Sequence, residues 1–95
     1  MRNYELTLLL SSKFKEAKVK QILEKIEKAI EKEGGKVVKS KDLGKIHLAY
    51  EIKKQDQANC FVLKFALNAA KAGIISRDFE RDEDILRHLL VKQED

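Results

Sequence analysis

Between Tyr4 and Ile30 the apolar residues change their spacing once, and that change sets the first two elements. Tyr4, Leu6, Leu8 and Leu10 fall on every second position against Asn3, Glu5 and Thr7, the period of a strand with one buried face. Val19, Ile22, Leu23, Ile26, Ala29 and Ile30 then recur at steps of three and four, the period of a helix with one apolar stripe. The helix is expected over about 15–33. Ser11-Ser12 offers hydroxyls to cap its start. Glu16→Lys20 and Glu24→Lys28 are spaced to pair along its outer face. Gly34-Gly35 stops it, because glycine takes the left-handed conformation of a C-terminal cap.

The same change of period then repeats. Residues 36–53 read as extended, with Ile46, Leu48, Tyr50 and Ile52 alternating against Lys45, His47, Ala49 and Glu51, and Gly44 sits where a bulge or bend fits. A polar connection over 53–59 leads to a third strand, where Phe61, Leu63, Phe65 and Leu67 alternate with Val62, Lys64 and Ala66. Asn68 is placed to cap a second helix through about Phe79, with Ala72, Ile75 and Phe79 inward. Gly73 weakens that helix by about 1 kcal/mol relative to alanine. Residues 85–91 form a fourth strand. The order β-α-β-β-α-β is the split-βαβ, ferredoxin-like plan, an α+β fold. It carries four antiparallel strands with both helices on one face. The expectation is a single domain over 1–95 with a short acidic C-terminal end.

Charge is plentiful and uneven. Lys and Arg number 20 against 16 Asp and Glu, a formal net charge of +4, and charged residues make up 38% of the chain. Residues 1–54 carry a net +6 and residues 55–95 a net −2. The densest basic stretch, 36–54, holds Lys36, Lys39, Lys41, Lys45, Lys53 and Lys54 against Asp42 and Glu51. A basic segment on one part of a small domain suits a polyanion partner. One cysteine excludes an internal disulfide and fits a reducing compartment. Nothing is apolar for long enough to span a membrane, and the first residues lack the form of a signal peptide.

Catalytic groups do not converge. Cys60 lies within a strand pattern without an activating neighbour in sequence. His47 and His88 have no second ligand at metal spacing. The carboxylates from Asp78 to Asp84 interleave with Arg77 and Arg81, as on a solvated turn. Gly34-Gly35 lacks the glycine and lysine of a phosphate loop. The chain reads as a non-enzyme that needs neither cofactor nor metal.

Function must then lie on the sheet face that no helix covers. Strand parity assigns Asn3, Glu5, Thr7 and Leu9 to it, with Lys45, His47 and Ala49, then Cys60, Val62 and Lys64, then Arg87, Leu89 and Val91. Leu9, Ala49, Val62, Leu89 and Val91 together make an apolar patch suited to a protein partner. RNA recognition motifs use this fold to stack bases on third-strand aromatics, but parity turns Phe61, Phe65 and Tyr4 toward the helices. Two readings stay open at this point: an RNA- and protein-binding component, or a ferredoxin-like regulatory module that binds a small ligand or dimerises through its sheet.

Three segments narrow the choice. Met1-Arg2-Asn3-Tyr4-Glu5 resembles the Met-Arg-x-Tyr-Glu opening of the bacterial small-subunit ribosomal protein S6 family. Leu43-Gly44-Lys45-Ile46-His47-Leu48-Ala49-Tyr50-Glu51-Ile52 is similar to that family's Leu-Gly-basic-x-x-Leu-Ala-Tyr-x-Ile block, with Ile46 where a second basic residue is usual. Residues 85–92 resemble its closing strand. The resemblance implies a structural constituent of the small ribosomal subunit. It also implies binding to the central domain of small-subunit ribosomal RNA together with ribosomal protein S18. Carried over by position, Arg2, Lys45 and Arg87 become RNA contacts. Lys53, Lys54 and Lys92 join them from charge and location, and Leu9, Ala49, Val62, Leu89 and Val91 become partner contacts.

Overall fold

The computed structural model describes residues 1–93; the acidic end expected at Glu94 and Asp95 lies outside them. The elements run β1 (Arg2–Ser11), α1 (Glu16–Lys32), β2 (Lys36–Ile52), β3 (Gln55–Leu67), α2 (Ala69–Arg81) and β4 (Ile85–Gln93). All neighbouring strands are antiparallel, in the order β2-β3-β1-β4. The expected ferredoxin-like order is therefore present.

Alternation in β1 and β3 supplies the core. Leu6, Leu8, Leu10, Leu63 and Leu67 are fully buried, and Phe65 is 1% exposed. They meet Ile22, Ile26 and Ile30 from α1 and Ile75 and Phe79 from α2. Tyr4 lies opposite Phe65 in the register and stacks on its ring, with centroids 5.7 Å apart. Each buried Leu or Phe contributes about 1.5–3 kcal/mol by leaving water.

The helix ends differ from expectation in one respect. Asn68 caps α2, its side chain accepting the Ala70 N–H at 2.9 Å. The cap residue of α1 is Lys15, which makes no side-chain cap bond. Ser11 instead ends β1: its hydroxyl donates to Gln55 at 2.7 Å and accepts the Lys13 N–H at 3.2 Å. Strand pairing with Ala58 holds it in the sheet, so Ser11 serves the strand end rather than the helix. After α1, the Gly35 N–H bonds back to the Ile30 carbonyl at 2.9 Å. Gly34 takes the expected left-handed φ of 83°.

β2 is an edge strand, and its register slips between Val37 and Lys39, between Asp42 and Gly44, and between His47 and Ile52. Gly44 marks the second slip with φ 80°, as the sequence suggested. The expected polar connection over 53–59 is shorter than anticipated. Ile52 pairs directly with Gln55, leaving a two-residue turn in which Lys53 (φ 50°) and Lys54 (φ 64°) are both left-handed.

Candidate RNA and protein interface

The register carries three of the four strands onto a common uncovered face. Glu5 lies between Lys64 and Val91, Thr7 between Val62 and Leu89, and Leu9 between Cys60 and Arg87. The expected partner residues Leu9, Val62, Leu89 and Val91 are thus brought together. Leu89 is 60% and Val91 47% exposed, because no helix lies over them.

β2 departs from expectation. Ile46 pairs with Ala58, which pairs with Ser11, so Ile46 belongs to the uncovered face and Lys45, opposite Asn59, to the helix side. Alternation turns Ala49 away as well. The reason is that the apolar set of β2 is not core. The two one-residue slips cancel, so Lys45 keeps the phase of Val37, which packs on the core. Tyr50 confirms the phase. It is 62% exposed, and its hydroxyl accepts from the Arg87 guanidinium at 2.9 Å, with the guanidinium 5.8 Å from the ring centre. The hairpin end thus bends over the sheet to reach β4. Ile46 and Tyr50 take the place assigned to Ala49.

The basic candidates form two groups. Lys45, Lys53, Lys54 and Arg87 lie toward the β2–β3 turn; Lys53 also reaches the Glu83 carbonyl at 3.5 Å. Arg2 and Lys92 lie at the other end, Arg2 opposite Leu67 and Lys92 opposite Tyr4. Five residues of β1 separate the Arg87 and Lys92 rows, roughly 17 Å. All six side chains are exposed.

Sequence parity missed Lys39. The first slip puts it directly across from Lys64 on the uncovered face, near Lys36 opposite Ala66. Two like charges facing each other across strands are unfavourable until an anion meets them. Lys64 is only loosely compensated by Glu5, at 4.0 Å. Slippage at Val37 has no glycine to announce it, so no sequence signal pointed to this pair.

The candidate catalytic groups do not converge among the described residues. Burial, with a smaller effect from Asp42, pushes the Cys60 thiol above its ordinary value, which suppresses the thiolate. Ser76 and His88 approach to 3.1 Å, but no carboxylate orients the imidazole among the described residues, and Phe79 packs on the ring edge-on. No cluster of His, Cys, Asp and Glu suited to a metal occurs among the described residues.

Fold and face define an α+β sandwich built for binding rather than for turnover: helices on one side, a mixed apolar and basic sheet surface on the other. The sequence model of the family described as ribosomal protein S6 matches residues 3–92, and the chain belongs to that family. Relatives described as small ribosomal subunit protein bS6 include that of Heliobacterium modesticaldum, 33% identical over 95 residues and covering 100% of this chain and 99% of the relative. That of Carboxydothermus hydrogenoformans is 32% identical over 94 residues, covering 99% and 98%. That of Desulforamulus reducens is 31% identical over 93 residues, covering 98% of each. The crystal structure of 30S ribosomal protein S6 from Thermotoga maritima superposes with a TM-score of 0.89 at 24% identity, covering 97% of this chain and 87% of that one. That likeness establishes the fold. The family consists of structural components of the small subunit of the cytoplasmic ribosome, and the chain is not an enzyme. The regulatory-module reading falls with this finding.

Proposed function

We propose that this protein binds the central domain of small-subunit ribosomal RNA together with ribosomal protein S18. In this reading the uncovered sheet face meets the protein partner and the surrounding cations meet phosphates. The observation that carries it is the joint placement of Leu9, Val62, Leu89 and Val91 on a face without helical cover. Desolvating such a patch favours association, with Tyr50 the kind of residue that anchors interfaces. Lys45, Lys53, Lys54 and Arg87 take phosphates at the turn end, and Arg2 and Lys92 at the other; Lys39 and Lys64 add an anion site between them.

The left-handed turn supports the assignment of Lys53 and Lys54. Each non-glycine residue in that conformation costs about 1–2 kcal/mol, and two-residue hairpin turns of this kind favour Asn-Gly. Holding two lysines there is a structural cost that phosphate contact would offset.

The test is RNA binding over a salt series, with and without S18. Partner-strengthened binding is expected, with log K falling linearly against log salt. Replacing one contacting lysine lowers that slope by about 1 for all sequences alike. Binding indifferent to both salt and S18 refutes the proposal.

A further inference from the structure

The helix side of the molecule holds a second surface, bordered by Lys45 but lined by none of the proposed RNA and S18 contacts. Between α1 and the edge strand β2 lies a groove of about 690 Å³, lined by Phe14, Val19, Leu23, Phe61 and Leu63. Its walls carry Glu16, Glu24, Glu27 and Asp42 against Lys20 and Lys41.

Charge on α1 is sorted between its two flanks. Toward the α2–β4 connection, Lys18 pairs with Asp84 at 3.3 Å and Lys25 with Asp82 at 2.7 Å. Toward the groove stand Glu16, Glu24 and Glu27, and none has an ion-pair partner among the described residues. The pairs Glu16→Lys20 and Glu24→Lys28 expected from spacing do not form. A chain of net charge +4 thus presents carboxylates without ion-pair partners around this apolar depression.

We propose that this groove docks an amphipathic basic segment of a protein partner. Apolar side chains of the segment cover Val19, Leu23 and Phe61, and its lysines or arginines meet Glu16, Glu24 and Glu27. RNA is a poor occupant, since the four carboxylates outnumber the two lysines around the groove and repel phosphate. From Glu16 to Glu27 the helix wall runs about 16 Å, a length that roughly three helical turns of a partner segment span. The inference stands apart from the RNA reading, because none of the proposed RNA or S18 contacts lines the groove.

The test titrates the isotope-labelled full chain with a leucine/lysine amphipathic peptide of about 14 residues, long enough to hold a helix over the groove. Its leucine/glutamate counterpart serves as control, at about 0.1 M salt, where screening extends about 10 Å. Amide shifts centred on Val19, Leu23, Gly44 and Phe61 are expected with the basic peptide and none with the acidic one. Glu24→Lys with Glu27→Lys should weaken binding about tenfold or more, and Glu24→Gln with Glu27→Gln by less. Neither variant should lose RNA binding, since each only adds positive charge. Shifts centred on Leu89 and Val91, affinity indifferent to the charge reversal, or no binding overturns the proposal.

Discussion

The two faces of one sheet are built from alternate residues of the same strands, yet they differ in almost every physical respect. On the helix side, Leu6, Leu8, Leu10 and Leu63 are fully buried. On the uncovered face, Leu9 and Val62 of the same strands are half-buried, and Leu89 and Val91 of β4 stand 60% and 47% exposed. The difference teaches that alternation here divides labour: one set of positions holds the fold, and the other is free to serve a partner. Substitutions on the two faces should therefore fail in different ways.

The largest effect is expected at Phe65. Phe65→Ala should cost about 3–5 kcal/mol of unfolding free energy in urea titration, from lost burial and the cavity left behind. Leu89→Ala should stay within about 0.5 kcal/mol, and a Leu89 cost like that of Phe65 would erase the distinction between the faces.

Gly35 tests the tightness of the covered side. A Cβ there would lie 2.7 Å from Ile30 Cγ2, 2.8 Å from the Ala66 carbonyl oxygen and 2.9 Å from Leu67 Cδ1. Gly35→Ala should destabilise by about 1–3 kcal/mol through overpacking, read as a lower thermal midpoint. Gly73, with open space around its Cβ position, should instead gain up to about 1 kcal/mol on Gly73→Ala.

The hairpin turn inverts the usual trade. Lys53→Asn with Lys54→Gly should raise stability by about 1–2 kcal/mol by fitting the left-handed turn. The same change should weaken RNA binding and flatten its salt dependence. Stability gained without loss of RNA affinity would remove the turn from the interface.

The smallest effect concerns the link from α1 to the α2–β4 connection. Partial burial pushes the Asp82 carboxyl up, but the Lys25 ammonium, the Asp84 N–H and Lys18 outweigh it and hold Asp82 below its ordinary value of 3.8. The hydrogen bond to Asp82 raises Lys25 above its ordinary 10.5. A lowered carboxyl stabilises the fold above its unfolded pKa and stops doing so as pH falls through its folded one. Asp82→Asn should therefore cost up to about 1 kcal/mol near neutrality, with Lys25 largely exposed and screened by water. The gap from the parent chain should close as acid takes the pH below the carboxylate range.

Most of the fold was legible in the sequence because β1, α1 and β3 each bury one face, and burial writes a period. β2 shows where that logic stops. As an edge strand with Val38 67% and Leu43 48% exposed, it takes its apolar positions from something other than the core. Alternation gave its phase, and only register gave its sign. Gly44 announced one slip; the slip after Val37 had no such mark, and with it the Lys39–Lys64 pair stayed hidden. The Tyr50–Arg87 contact spans 37 residues and depends on the hairpin bending over the sheet, which no local pattern encodes. The unpaired carboxylates of α1 were hidden for a related reason, since spacing permits Glu16→Lys20 and Glu24→Lys28 without requiring them to form.

The claim that one face holds the fold while the other assembles is tested most directly by Leu89→Ser with Val91→Ser. Unfolding midpoint and S18-dependent RNA binding would be measured on the same preparation. The midpoint should stay near that of the parent chain while the contribution of S18 to RNA affinity disappears. A collapsed midpoint, or an S18 effect left intact, would contradict the division between the two faces.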